Sequence, residues 1–230
     1  MSNHEIWIPG VPATSATSGE RPWKERVVHH AANAEENKHL RLSFQLTAGG
    51  NGHTEELTGL CEPVFSSLFN KLGWYGGQRI QLQSWSAERS TANPSGLRLI
   101  AGQAHPTESM EEQFGEPLID FLFTGTIPQK STDPYLAELL KKLHVRVPSG
   151  NDTRYAIRLH YGGTKIQIGD MTAGPVKAVI DSLYPILGGE AGQPESWRID
   201  HAEVVKGVSG VKENTIRIAI WTIDEGREAP

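Results

Sequence analysis

The side chains whose types and spacing could do chemistry fall in one stretch, Gly169 to Val204, and in a worn copy of it in the first half of the chain. The stretch begins Gly169-Asp170-Met171-Thr172-Ala173-Gly174-Pro175 and runs into Val176-Lys177-Ala178-Val179-Ile180-Asp181-Ser182-Leu183. It resumes as Ser196-Trp197-Arg198-Ile199-Asp200-His201-Ala202-Glu203-Val204. The earlier copy has Glu55-Glu56-Leu57-Thr58-Gly59, then Leu60-Cys61-Glu62-Pro63-Val64-Phe65-Ser66-Ser67-Leu68, then Gly76-Gly77-Gln78-Arg79-Ile80. Asp170 and Glu55 each precede a helix-like segment, where a carboxylate complements the positive helix end or offers an oxygen to a hard cation. Lys177 suits a solvated helix face or a phosphate contact, and Gly59 and Gly174 suit a tight turn into a helix.

The elements that must position these groups follow from periodicity and breakers. Strands are expected at Glu5–Ile8, Leu40–Leu46, Arg79–Trp85 and Leu97–Ala101, with helices opening at Pro22-Trp23 and spanning Leu60–Phe69. After a polar segment, Gln103–Pro117, read as a solvated linker, the order repeats. Strands are expected at Asp120–Thr124, Tyr155–Tyr161, Ala202–Lys206 and Thr215–Trp221, and helices at Pro134–Leu143 and Pro175–Leu183. Gly10 and Gly125, Leu42 and Ile157, Gly59 and Gly174, Val64 and Val179, Ser67 and Ser182, and Leu68 and Leu183 all stand 115 positions apart, the mark of an internal duplication. A longer loop in the second copy (Gly188–Glu195) is expected to move the spacing to 124 at Ile80 and Val204, and a shorter hairpin to return it to 119 at Arg98 and Arg217. The domain reading is 1–102, a linker 103–117, and 118–230.

Composition narrows the classes of function. The chain has 230 residues, 37% hydrophobic and 21% charged, enough for a packed core. A net charge of −5 with no polybasic run counts against strong sequence-independent binding to phosphate backbones. The single cysteine, Cys61, excludes an internal disulfide and a Cys-based zinc site, and points to a cytoplasmic, reducing location. No apolar run reaches the roughly 20 residues of a membrane span, and Met1–Pro9 has no signal-peptide core. Cys61 reads as a small core residue. Trp74, Tyr75 and Trp85 read as core or as an interface between the copies, with base stacking as the alternative. His29, His30 and His39 read as surface.

A strand ending in Gly-x-Pro, a helix, a long strand, an acidic loop entering a Lys-Ala-Val-x-Asp-x-Leu helix, and an acidic pair before two strands together resemble the RusA-type Holliday-junction resolvases. That resemblance implies a metal-dependent, homodimeric α+β fold, and each copy here spans one such unit. The chain is therefore expected to be two RusA-like repeats forming an intramolecular pseudo-dimer, and a monomer in solution. The family signature is Asp-x-Asp-Asn, a Lys four residues after the second Asp, and a later Asp-Asp pair. The second copy keeps Lys177, Ala178, Val179, Asp181 and Leu183, but its acid positions are Met171 and Ala173, its Asn position is Gly174, and its later pair is Asp200-His201. The first copy has Glu56 and Thr58 at the acid positions, Gly59 at the Asn position, Glu62 at the Lys position and Gly76-Gly77 at the later pair.

Phosphodiester hydrolysis of this type needs Mg²⁺ held by converging carboxylates and a lysine to neutralise developing phosphate charge. The resemblance leaves Asp170, Asp200 and Glu56 as candidate metal ligands, and Lys177 and Asp200 as candidate catalytic residues. Neither copy presents the full set. The expectation is a catalytically degenerate, resolvase-like binding module with no cofactor, whose partner is a protein or branched or single-stranded nucleic acid and not a membrane. The alternative is a Mg²⁺-dependent, structure-specific DNA endonuclease using Asp170, Lys177 and Asp200.

Overall fold

The computed structural model describes residues 4–47, 55–76, 81–102, 110–124, 153–162, 171–172, 174–190, 192–207 and 215–223. Asp170, Gly125 and the helix expected at Pro134–Leu143 lie outside them. The chain divides into two compact units, Met1–Thr107 and Glu108–Pro230, each mixing α and β structure.

In the first unit the described elements are β1 (His4–Pro9), α1 (Glu20–Ala31), β2 (His39–Leu46), α2 (Leu57–Ser66), β3 (Ser84–Thr91) and β4 (Gly96–Ala101). The last turns of α2 widen into a π-type segment, Ser67–Lys71. β4 lies between β1 and β2, antiparallel to both, and β3 joins β2 in parallel. The alternation Leu40, Leu42, Phe44, Leu46 is buried as the period-two pattern requires. Phe65 of α2 meets the Trp85 ring of β3 at 5.3 Å, so the helices cover that apolar face. Trp23, Val27 and Ala31, one helical turn apart, form the buried stripe of α1.

The second unit has a short helix α3 (Met110–Phe114), then β5 (Ile119–Thr124), β6 (Arg154–Tyr161), α4 (Gly174–Ser182), α5 (Tyr184–Leu187), a small hairpin β7–β8 (Gly189–Glu190, Gln193–Pro194), β9 (Ile199–Lys206) and β10 (Thr215–Ile223). Its β10 lies between β5 and β6, antiparallel to both, and β9 joins β6 in parallel. Taken singly, the two units thus share one strand order and one set of strand directions.

The internal repeat extends to side chains. His4 and Ile119, His39 and Arg154, and Ser84 and Ile199, the first residues of matching strands, stand 115 positions apart. Leu42 and Ile157 each oppose an alanine, Ala87 and Ala202, on the parallel neighbour. Ser67 and Ser182 are both buried and both turn their hydroxyls back onto a helix carbonyl, of Pro63 at 2.7 Å and of Val179 at 2.5 Å. An ion pair across the outer strands is repeated as well, Glu5 with Arg98 at 3.1 Å and Asp120 with Arg217 at 2.7 Å.

Several sequence expectations are corrected. The third strand of the first unit is Ser84–Thr91, not Arg79–Trp85, so the spacing stays at 115 there and does not move to 124. The loop Gly188–Glu195 is therefore no net insertion. The connection that follows is not the expected hairpin, because β2 lies between β3 and β4 and β6 lies between β9 and β10; it is four residues longer in the second unit, which sets 119 between Gly96 and Thr215. Leu42 faces Leu99, whereas Ile157 faces Ile220, a two-residue slip that keeps every side chain on its own face. Part of the segment expected as a solvated linker is packed: Met110 of α3 is buried against Ala156, Ala219 and Trp221. Cys61, Trp74, Tyr75 and Trp85 are core residues, and burial pushes the Cys61 thiol up. His29 and His30 are exposed, but His39 is half-buried, its Nδ1 2.7 Å from the Ser84 hydroxyl. No helix among the described residues is long and apolar enough to cross a membrane.

Because Leu42 and Ile157 are core residues of matching strands, Leu42→Ala and Ile157→Ala should each cost about 2–5 kcal/mol, measured by urea unfolding.

Candidate functional site

Asp200 is the second residue of β9, and its position is set by an irregularity in the ladder. Tyr155 pairs with Ile199 while Ala156 pairs with His201, so Asp200 falls at the register shift, the kind of place where a strand re-aims a side chain. Its carboxylate lies 3.9 Å from Arg154 Nη1. Arg154 also donates to the Trp197 carbonyl at 2.9 Å and spreads its guanidinium 4.8 Å above the Trp197 ring. Arg198 approaches the same ring at 5.4 Å and is ion-paired to Glu195 at 2.8 Å. Burial raises the Tyr155 phenol and the nearby Arg198 opposes the rise, and its hydroxyl donates to the Ile186 carbonyl at 3.1 Å. This end of β9 is a cluster of two arginines about Trp197, each paired with its own carboxylate, the reverse of the converging carboxylates that Mg²⁺ requires.

Among the described residues of the second unit, the other predicted positions do not join it. Lys177 is exposed on α4, which packs on α5 and β8. Met171, at the first acid position of the second copy, is fully buried. Glu56 takes the N-cap position of α2, where its carbonyl accepts the Leu60 N–H at 3.0 Å, with no side-chain cap bond. The capping role expected of Glu55 is therefore not realised; its carbonyl instead accepts a bond from Arg89. Gly59 lies inside the first turn of α2, where an added Cβ would meet Thr14 at an ordinary contact distance of 3.4 Å, so neither a tight turn nor a close approach requires glycine there. Glu62, at the Lys position of the first copy, is exposed. Among the described residues no three His, Cys, Asp or Glu side chains gather as a metal site would need.

A groove of about 890 Å³ runs along α1 in the first unit, lined in part by Glu20, Arg21, Lys24, Glu25 and Lys71. Its charges largely answer one another, Glu20 with Lys24 and Arg21 with Glu25 at 3.0 Å, and none of the predicted residues lines it.

The sequence reading passed over a second cluster, on the face of the second sheet opposite Tyr155. There Arg158 lies 4.9 Å over the Trp221 ring, beside His160 and Arg217. Burial first, and then the Arg158 and Arg217 charges, hold His160 down to about 4, against opposing contributions from Glu111 and Asp120. The only cue in the sequence was the four-residue spacing of Met110 and Phe114 ahead of β5.

No family model matches the chain, and no curated protein matches it. Among solved structures the chain is similar to a cyanuric acid hydrolase, described as an evolutionary innovation by structural concatenation. The identity is 13%, over 96% of this chain and 67% of that one, with a TM-score of 0.24. Neither fold nor chemistry is carried over at that level.

Removing Arg154 strips a donor from the Trp197 carbonyl and a countercharge from Asp200, so Arg154→Ala should cost about 1–3 kcal/mol. Lys177→Ala, on an exposed helix face, should stay within about 0.5 kcal/mol. Urea unfolding of both variants checks the contrast. The neutral state of His160 gives a pH signature too. Its unfolded value near 6.5 exceeds the native value of about 4, so the unfolded chain binds the extra proton between them. The stability it supports is complete above that window and lost as pH falls through it. His160→Gln should flatten this part of the stability–pH curve, read from thermal melts.

Proposed function

We propose that the chain is a catalytically silent, tandem resolvase-like protein that works as a monomer in the cytoplasm by binding a macromolecule. The partner is a protein or branched or single-stranded nucleic acid. One observation carries the silent part: Met171 occupies the position where the resemblance calls for a metal-binding carboxylate, and its side chain is buried in the core. A thioether there offers Mg²⁺ nothing, since that cation takes oxygen ligands. Asp200 supports the same reading, because a carboxylate set beside Arg154 has its charge answered by protein rather than metal. The repeated strand order supports the tandem part. Binding then falls to surfaces, and the single buried cysteine suits a reducing compartment.

The test is incubation of labelled four-way junctions, flaps and duplexes with Mg²⁺ or Mn²⁺, with Asp200→Asn and Lys177→Ala alongside. The expected outcome is no divalent-dependent cleavage by any of the three proteins. Cleavage by the natural chain that disappears in both variants would overturn the silent reading and establish an endonuclease using those two residues.

A further inference from the structure

Within the second unit, α3 lies across the sheet face opposite Tyr155. Ala156 and Ala219 make a low floor there, and Met110 sits on it against Trp221. Glu111 meets Arg158 with both carboxylate oxygens, one contact at 2.9 Å, and Trp221 Nε1 donates to the Gly115 carbonyl at 2.9 Å. Phe114 closes the far side edge-on to His201, with ring centroids 5.5 Å apart. The same sheet face carries Arg158, Arg217, His160, His201 and Trp221, with Asp120 held by Arg217 and Glu203 opposite Arg158 on β9.

We propose that α3 is a displaceable acidic strap over a face that takes single-stranded nucleic acid, with Glu111 standing where a phosphate would meet Arg158 and Met110 where a base would meet Trp221. The assignment rests on the nucleic-acid arm of the proposed function. A guanidinium fork accepts a carboxylate and a phosphate in the same bidentate geometry, so the two are exchangeable ligands for Arg158. The Trp221 ring lies under that fork, 4.9 Å from the guanidinium, and a stacked cation and indole is a surface of the kind that single strands use without sequence preference. A five-residue helix has no stability of its own, so docking alone keeps α3 ordered and a competing ligand need only replace its contacts.

The test uses the full chain and a fluorescein-labelled oligothymidylate of about 15 nucleotides, read by anisotropy in about 50 mM salt. The natural chain is compared with Glu111→Gln/Phe114→Ala and with that pair plus Arg158→Ala, while hydrogen exchange follows the amides of Met110 to Gly115. The expected result is faster exchange confined to those amides, binding at least about tenfold tighter in the double variant, and loss of the gain in the triple variant. Opening of α3 without any gain in oligonucleotide binding would overturn the proposal. So would unfolding of the double variant, or exchange of α3 only together with the sheet, since α3 would then be core. Binding of a peptide with the α3 sequence in place of the oligonucleotide would also overturn it, in favour of a peptide groove. Junction binding by the natural chain is a separate measurement, so failure of the strap leaves the protein-partner arm of the proposed function standing.

Discussion

The parallel pairing of β2 with β3, and of β6 with β9, is the constraint on which each unit depends. Parallel neighbours cannot be joined by a tight turn; the chain must cross over through a dozen or more residues. In both units that crossover carries a helix, α2 or α4, whose buried side chains cover the inner strands. The segment that holds Glu56 in one unit and Met171 and Lys177 in the other is therefore structural before it is anything else. Its length is fixed by the distance between strands, which is why the 115-residue spacing runs unbroken from β1 through β3 into their counterparts. The spacing between matching strands changes once, in the connection from β3 to β4 and from β9 to β10.

The same constraint leaves the opposite sheet face to be settled independently, and there the two units part. In the first, β2 and β3 carry a polar ladder on that face. Glu88 accepts from Arg41 at 2.9 Å and from Ser43 at 2.5 Å, and His39 meets Ser84. In the second, the positions matching Arg41 and Ser43 are Ala156 and Arg158. The exchange removes bulk at one place and adds a guanidinium at the next, which makes room for Met110 and a partner for Glu111.

How much of this the sequence could reveal depends on which forces leave a pattern. Leu40, Leu42, Phe44 and Leu46 alternate cleanly because one face of β2 is buried, and that strand was legible to within a residue. Strand β3 leaves a weak pattern because only Trp85 and Ala87 are buried along it and the rest is polar, while Ile80 and Leu82 supply apolar alternation in the sequence just before it. Matching Ile80 to Val204 then produced a false shift in spacing. The buried serines Ser67 and Ser182 had already shown where the copies align, and their hydroxyl-to-carbonyl bonds explain why a polar residue could sit in phase with the core. Burial of Met171 and the Arg154 countercharge on Asp200 were not legible, since both arise from contacts between residues far apart in the chain. The cluster under α3 was hidden for the same reason: Glu111 and Arg158 are 47 positions apart, and Trp221 lies further still.

What decides whether the α3 face is closed is a balance of small terms rather than a rigid lock. Glu111 keeps about half its exposure, so water and salt screen its attraction to Arg158, and an ion pair of that kind is worth little by itself. The apolar contribution of Met110 is larger, about 1.5–3 kcal/mol for a side chain taken fully out of water. Against this stands the entropy lost on ordering the backbone of α3. A five-residue helix does not hold itself together, so docking and order of α3 are one event: whatever competes for Arg158 and Trp221 also competes with the helix itself. The sheet beneath does not share that fragility, because its strands are tied by ladders on both sides of β6 and β10 and by the buried apolar face that α4 and α5 cover. A ligand exchanging with α3 would thus meet a preformed platform.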